Sequence, residues 1–176
     1  MSIIAKNKGG NFIPAPEGLW PGVCVDVVDL GIVESAQYKP RHMVQIRWVL
    51  DAEPKLDSGE PHMAVRSFGL SLNEKSNLRP FLEAWRGKKF TDDELDGFDL
   101  ENLIGAPGQV QIVHNRKDGK TYGNVQTVVP YPRGMARVPV PPNYVRAKDR
   151  PDYKPPVLPD DEPSYPDEIT SDDIPF

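Results

Sequence analysis

The chain has 176 residues, a net charge of −5, 20 prolines and one cysteine, which fits one ordinary domain with an appendage rather than two full domains. So many prolines exclude a helical bundle, because each removes a backbone hydrogen-bond donor and fixes φ. A single cysteine excludes an internal disulfide framework and favours a reducing compartment. Because no apolar run reaches the ~18 residues of a membrane span and no signal peptide is visible, we expect a cytoplasmic protein.

Charge is distributed unevenly along the chain. Residues 157–176 hold seven acidic residues and no Lys or Arg, which leaves 19 acidic against 21 basic residues in 1–156. The overall negative charge therefore belongs to a tail and hides a mildly basic body. Such an asymmetry is typical of a body that faces nucleic acid and carries an acidic appendage.

The N-terminal part predicts an arm followed by a strand. Residues 1–20 are polar and rich in Gly and Pro, which predicts an arm. "GVCVDVVDLGIVES" then alternates with period two, which places Val23, Val25 and Val27 on one face of a strand. Cys24, within this strand, is expected to be a small buried side chain.

Two further strands follow. "HMVQIRWVLDA" predicts a second strand, with Gln45 and Arg47 on its outer face. Its inner face consists of Val44, Ile46, Trp48 and Leu50. After the loop "EPKLDSGEP", the stretch "HMAVRSFGLSL" predicts a third strand, in which Gly69 indicates a bulge or a sharp bend.

The pattern then changes to helical spacing. "NEKSNLRPFLEAWRGKK" places four apolar residues on one helix face: Leu78, Phe81, Leu82 and Trp85. The candidate N-caps are Asn73, Ser76 and Asn77. Pro80 fits only the first turn, and Gly87 can end the helix. Thr91 and Glu94 have the spacing of a capping box, and Asp99 can begin another short turn.

Two last strands, "QVQIVHN" and "TYGNVQTVV", are joined by "RKDGK", where Asp118-Gly119 is a strong hairpin signal. Five short strands with a helix between the third and fourth are the connectivity of the OB-fold, a five-stranded, partly open Greek-key barrel. We therefore expect an all-β domain of this fold over residues 21–130. Residues 131–156, with six basic and two acidic residues, predict a basic Pro-rich linker, and residues 157–176 an acidic tail.

The OB-fold binds oligonucleotides through its loops 1–2 and 4–5 and the face of strands 2 and 3. Single strands need cations for their phosphates and aromatic rings on which unpaired bases stack. The candidate DNA-binding residues are Tyr38, Lys39, Arg41, Arg47, Arg66, Phe68, Arg116, Lys117, Lys120 and Tyr122. Charged hairpin tips are also common without any ligand, and Phe68 fits a core position as well.

Signals for catalysis are poor, so we expect neither an enzyme nor a cofactor. The three histidines and Cys24 show no metal-ligand spacing, and no Gly-rich phosphate loop precedes a helix. Asp51 and Glu53, with Asp57 nearby, leave a Mg²⁺-dependent nuclease open as a less favoured alternative, because such carboxylates are usually just solvated.

The C-terminus carries the sharpest signal. An apolar anchor with acidic neighbours suits a partner pocket that is rimmed by Lys and Arg and captures a terminal carboxylate. The candidate partner-binding residues are Asp172, Asp173, Ile174, Pro175 and Phe176.

Two resemblances follow from these residues. "DDIPF" at the C-terminus resembles the tip of bacterial single-stranded DNA-binding proteins. "LSLNEKSNLRPFLEAWRGKKFT" and "FDLENLIGAPGQVQIVHN" resemble single-stranded DNA-binding proteins encoded in phage replication regions, over about residues 20–130. The resemblance implies an OB-fold, binding without strong sequence preference, and a tail that docks replication and repair proteins in the cytoplasm of a phage-infected cell.

The chain also departs from these families. Its basic Pro-rich linker differs from the Gly/Gln-rich linker of many bacterial members, and their tetramer is not implied, which leaves homo-oligomerisation open. The main alternative is an OB-like adaptor that binds host replication proteins through its tail and does not bind DNA.

Overall fold

The structure, a computed structural model, describes residues 13–34, 36 and 39–158. It contains five strands and one main helix, which confirms the predicted all-β class. The strands are β1 (Gly18–Val33), β2 (Arg41–Leu50), β3 (His62–Gly69), β4 (Pro107–Lys117) and β5 (Lys120–Val129). The helices are α1 (Leu78–Arg86) and the short α2 (Asp92–Asp96), with 3₁₀ turns at Leu100–Leu103 and Ala147–Asp149.

The strands form one antiparallel sheet in the order β3-β2-β1-β4-β5. β1 lies at the centre and pairs with β2 over Gly22–Val33 and with β4 over Gly18–Val23. β3 and β5 are the two edge strands, and no backbone ladder joins them to each other. The sheet is therefore open rather than closed into a barrel.

β1 begins earlier than expected. The sequence places its start after Pro21, because prolines are normally confined to strand ends, edges or bulges. The strand in fact starts at Gly18, and Pro21 pairs with Gln109. Pro21 lies where β1 passes from pairing with β4 alone to pairing with both neighbours, so only one edge of the strand is fully paired there.

A β-bulge between Cys24 and Asp26 changes which face each valine occupies. Val23 and Val25 pack together on the outer face, whereas Val27 contacts the main core on the inner face. The prediction that Val23, Val25 and Val27 share one face is therefore wrong for Val27. Cys24 is fully buried in the main core, as expected.

The main core lies between the inner face of the sheet and α1. All four predicted inner residues of β2 are buried, and Trp48 is fully enclosed. The four predicted apolar residues of α1 are buried as well. The ring centroid of Trp48 lies 5.8 Å from those of both Phe81 and Trp85, so aromatic contacts join helix and sheet.

The local signals around the helices are confirmed. Asn77 is the N-cap of α1, although its side chain makes no capping bond, and Gly87 ends the helix at φ 72°. Thr91 and Glu94 form the predicted capping box. Gly69 is the last residue of a regular β3 and is followed by a bend rather than preceded by a bulge.

Residues 131–158, here called the strap, pack along the outer face of β1. Val138 and Tyr144 cover a second apolar cluster formed by Val23, Val25 and Val49, each at most 2% exposed. Further along, the Ile32 N–H donates to the carbonyl oxygen of Val157 at 2.8 Å. The strap therefore runs parallel to β1 as far as the C-terminal end of that strand. The sequence predicted an extended linker over residues 131–156 and did not predict these contacts.

Candidate nucleic-acid interface

The β4–β5 hairpin ends in a two-residue turn with a concentrated positive charge. Asp118 and Gly119 both have positive φ, 53° and 76°, as a type I′ turn requires. Lys117 and Lys120 are paired directly across this turn, and Arg116 follows one position back. Like charges placed directly opposite destabilise a hairpin, so this arrangement does not serve the stability of the turn.

The hairpin extends beyond the rest of the sheet. β1 pairs with β4 only as far as Ile112, so the last residues of β4 pair with β5 alone. The base of this arm is supported by the chain before β1. The backbone N–H of His114 donates to Glu17 Oε1 at 2.8 Å, and His114 Nε2 lies 2.7 Å from the carbonyl oxygen of Ala15. The base of the arm is therefore fixed while its tip projects.

Four predicted site residues lie together at this tip. Arg116, Lys117 and Lys120 are exposed, and none of the ion pairs between described residues involves them. Tyr122 lies on the same arm and is 41% exposed. Cations without an acidic partner in the described part of the chain, near an accessible aromatic ring, match the chemistry that single-stranded nucleic acid requires.

Arg47 occupies the outer face of β2, as predicted. Its Nε donates to Gln45 Oε1 at 2.8 Å. It pairs across the sheet with Val65, which is 47% exposed, and the neighbouring Met63 is 43% exposed. These two apolar residues are not among the predicted site residues, although they alternate with the buried His62 and Ala64.

Arg66 and Phe68 lie on the inner face of β3, in the same alternation as Ala64. Phe68 is only 3% exposed and its ring centroid lies 4.7 Å from that of Phe81. In this conformation it offers almost no surface to a base, which favours the core alternative, while its contact with DNA stays a prediction.

Arg66 bridges the two edge strands of the sheet. Its Nη1 donates to the carbonyl oxygens of Val125 and Gln126 at 3.1 and 2.9 Å, and its guanidinium lies 4.8 Å from the centre of the Phe68 ring. Burial lowers the pKa of this guanidinium. Arg66 is therefore engaged in joining β3 to β5 rather than projecting from the outer face.

The β1–β2 loop follows the opposite end of β1 from the hairpin tip. Lys39 is exposed and Arg41 is half-buried at the start of β2, and both make contacts within the protein. Tyr38 lies outside the described residues, as do the five predicted partner-binding residues of the tail. A strand that touches both loops must therefore cross the outer face of the sheet.

Asp26 anchors the strap to β1. This carboxylate is 1% exposed and accepts hydrogen bonds from the Ala147 N–H at 2.8 Å, and from Arg146 Nε and the Tyr144 hydroxyl at 3.1 Å. Burial acts to raise the pKa of Asp26, but these three donors outweigh it and lower the pKa. Arg146 also donates to both carboxylate oxygens of Glu101, at 2.8 and 2.9 Å.

We expect Asp26→Asn to lower the free energy of unfolding at pH 7 by about 2 kcal/mol, because the neutral amide cannot pair with Arg146. The lowered pKa means that the contribution of Asp26 is complete above the ordinary aspartate value of 3.8 and is lost as the pH falls through its pKa in the folded protein. Urea unfolding at pH 7 and at pH 3 measures this change. The difference between wild type and variant should shrink at pH 3, and a constant difference would contradict the assignment.

Two of the three carboxylates that could hold Mg²⁺, Asp51 and Glu53, are paired with a lysine. Lys55 forms ion pairs with Asp51 and, at 3.6 Å, with Glu53. Within the described ranges, no three side chains of His, Cys, Asp or Glu are grouped to hold a metal ion. Burial raises the pKa of the Cys24 thiol to about 12, which makes its reactive thiolate scarce at neutral pH.

Sequence comparisons add no relative. No protein-family model matches this chain. No curated protein matches it significantly either. Among the described helices, none is long and apolar enough to cross a membrane. The candidate interface is therefore defined by its own residues: the hairpin tip, the β1–β2 loop and the outer face between them.

Proposed function

We propose that this protein binds single-stranded DNA without catalysis, coats it during phage replication or recombination, and recruits partner enzymes through its acidic C-terminal tip. The observation that carries the proposal is the hairpin tip, where Lys117 and Lys120 share one face with the exposed Tyr122 and Arg116 lies on the other face. None of these three cations forms an ion pair with a described residue. Phosphates bind the cations, and a base stacks on Tyr122. Duplex DNA keeps its bases stacked and paired, so it cannot use the tyrosine in the same way.

The sheet supports an OB-like fold as part of this proposal. Its strand order places β3 and β5 at the two edges, which are the strands that meet when a five-stranded OB barrel closes. Arg66 spans from β3 to carbonyl oxygens of β5, and the gap beside it has a volume of about 430 Å³. We therefore take the sheet as a partly open barrel whose outer β2–β3 face borders the DNA path.

The tail completes the proposal. Asp172 and Asp173 precede the apolar Ile174, Pro175 and Phe176. A partner that presents a small apolar pocket beside Lys or Arg would bind both the ring and the acidic side chains next to it. Such a tail would bring replication or repair enzymes to DNA that the body already covers.

A second candidate function is an adaptor that uses the tail but binds no DNA. One observation favours it: the strap covers Val23, Val25 and Val49 on the outer face of the sheet, which removes part of the surface that an OB-fold offers to oligonucleotides. The exposed hairpin tip favours DNA binding instead, because an adaptor has no need of exposed cations there that form no ion pair with any described residue.

Replacing Tyr122 distinguishes the two functions. If a base stacks on its ring, Tyr122→Ala lowers the affinity for a labelled 30-nucleotide single strand by about fivefold or more, corresponding to at least ~1 kcal/mol per stacked base. Tyr122→Phe is the matched control and should keep the affinity, because it retains the ring. Fluorescence anisotropy measures both. Equal binding by all three proteins would exclude stacking on Tyr122, and no binding by the wild type would favour the adaptor.

A further inference from the structure

The strap carries more positive charge than its attachment to β1 uses. Its six basic residues stand against two acidic residues, and of the six only Arg146 is committed to Asp26 and Glu101. Four of the others are exposed: Arg133, Arg137, Lys148 and Lys154. The strap therefore adds a net positive surface to the folded body instead of a flexible spacer.

The attachment of the strap fixes where these charges lie. Arg146 and Ala147 are held at Asp26, and Val157 is bonded to Ile32 near the end of β1. The intervening residues, 148–156, therefore lie beside the end of β1 that leads into the β1–β2 loop. Lys39 of that loop, Arg41 at the start of β2 and two of the exposed strap cations, Lys148 and Lys154, consequently border one region of the surface. Arg133 and Arg137 precede Val138, which packs near the start of β1.

A groove lies between this part of the strap and the sheet. Its volume is about 330 Å³, and its lining includes Leu70, Phe98, Lys148 and Tyr153. Tyr153 is 36% exposed and Leu70 is 41% exposed, so the groove presents accessible apolar and aromatic surface beside a lysine. An unpaired base needs such a surface for stacking, and its phosphates need the cation next to it.

Four carboxylates also line the groove, and each of them already has a hydrogen-bond or ion-pair partner within the protein. They are Asp26, Asp29, Asp99 and Glu101. Asp29 accepts from the Gly31 N–H at 2.8 Å and lies 2.6 Å from His42 Nε2, and Asp99 accepts from the Glu101 N–H. Asp26 and Glu101 form ion pairs with Arg146. Phosphates are therefore expected at the cationic rim rather than at the floor.

We propose that the strap is itself a contact surface for single-stranded nucleic acid, with Lys148 and Lys154 binding phosphates and Tyr153 stacking on an unpaired base. The inference rests on the proposed DNA-binding function and extends it, because it adds a second contact region to the hairpin tip. The strand then runs over the strap at the β1–β2 loop instead of over a bare β1–β2 face.

The test compares two double variants of the full chain. Lys148→Gln/Lys154→Gln should weaken binding of a labelled 30-nucleotide dT strand about tenfold at low salt, and reduce the slope of log affinity against log salt by about 1.4 for two phosphate contacts. Lys88→Gln/Lys89→Gln removes the same charge from exposed positions after α1 and should change affinity less than twofold. Equal effects of the two double variants would overturn the proposal.

A second pair of variants tests the stacking contact. Tyr153→Ala is expected to weaken binding about fivefold or more, whereas Tyr153→Phe keeps the affinity. Urea unfolding of each variant checks that the strap stays attached, since wild-type stability is expected throughout. If the wild-type protein binds single strands and the Tyr153→Ala variant binds them with the same affinity, the stacking contact alone is overturned. Wild-type protein that binds no single strand would overturn the DNA-binding function together with it.

Discussion

Ending the chain after Pro130 should lower the free energy of unfolding by at least about 3 kcal/mol relative to a chain that ends after Leu158. Three valines, Val23, Val25 and Val49, are buried under the strap. Each fully buried valine stabilises a protein by roughly 1.5 kcal/mol or more. Part of this gain is offset by the entropy of ordering the strap, which leaves the smaller expected net effect.

The comparison between these two truncated chains isolates the strap. Both lack the acidic tail, so tail charge does not contribute to the difference. Urea unfolding followed by tryptophan fluorescence gives both free energies, and 1-anilinonaphthalene-8-sulfonate binding reports the exposed outer face. Equal stability of the two chains would mean that the strap is only a linker, as the sequence alone predicted.

Removing the charge of the hairpin tip should weaken single-strand binding by about 100-fold at about 50 mM salt. The variant is Arg116→Gln/Lys117→Gln/Lys120→Gln. Each phosphate contact contributes ~0.7 to the slope of log affinity against log salt, so three lost contacts reduce the slope by about 2. The difference from wild type should therefore nearly vanish at high salt.

A control with the same charge change separates local contact from overall charge. Lys75→Gln/Lys88→Gln/Lys89→Gln removes three exposed lysines around α1, on either side of the helix in the chain. We expect this control to weaken binding less than threefold. The hairpin itself should be stabilised slightly by the tip variant, because the facing Lys117 and Lys120 no longer repel each other. If the control variant binds the single strand as weakly as the tip variant does, binding depends only on net charge.

Much of the fold could be predicted from local patterns. The alternation of β2, the helical spacing of α1, the capping box at Thr91 and the turn at Asp118-Gly119 each depend on residues close in sequence. The structure has all four. The fold class and the order of the elements follow from such local signals, because each of these elements has the secondary structure that its own residues favour.

The differences arise where tertiary contacts decide. The bulge after Cys24 moves Val27 to the inner face, and nothing in the alternation of β1 marks it. The strap is rich in prolines and basic residues, so its composition is that of a linker. The sequence signal for the strap is in β1 itself, in Val23 and Val25, which the strap covers. A strand with apolar residues on both faces needs another part of the protein to cover each face.

The candidate site divides in the same way. The hairpin tip could be placed because a turn signal and its flanking bases are adjacent in sequence. Arg66 and Phe68 were assigned to the DNA path by residue type, but their positions in β3 alternate with the buried Ala64. Arg66 is accommodated inside because the open edge between β3 and β5 lets its guanidinium reach backbone carbonyls.

We propose above all that the protein binds single-stranded DNA. This proposal is tested most directly by anisotropy titration of a labelled 30-nucleotide strand at two salt concentrations, with matched duplex in parallel. Several phosphate contacts predict a steep loss of affinity with salt, and stacking on tyrosine predicts a strong preference for the single strand over the duplex. Absence of binding even at low salt, or equal affinity for both forms of DNA, would contradict the account.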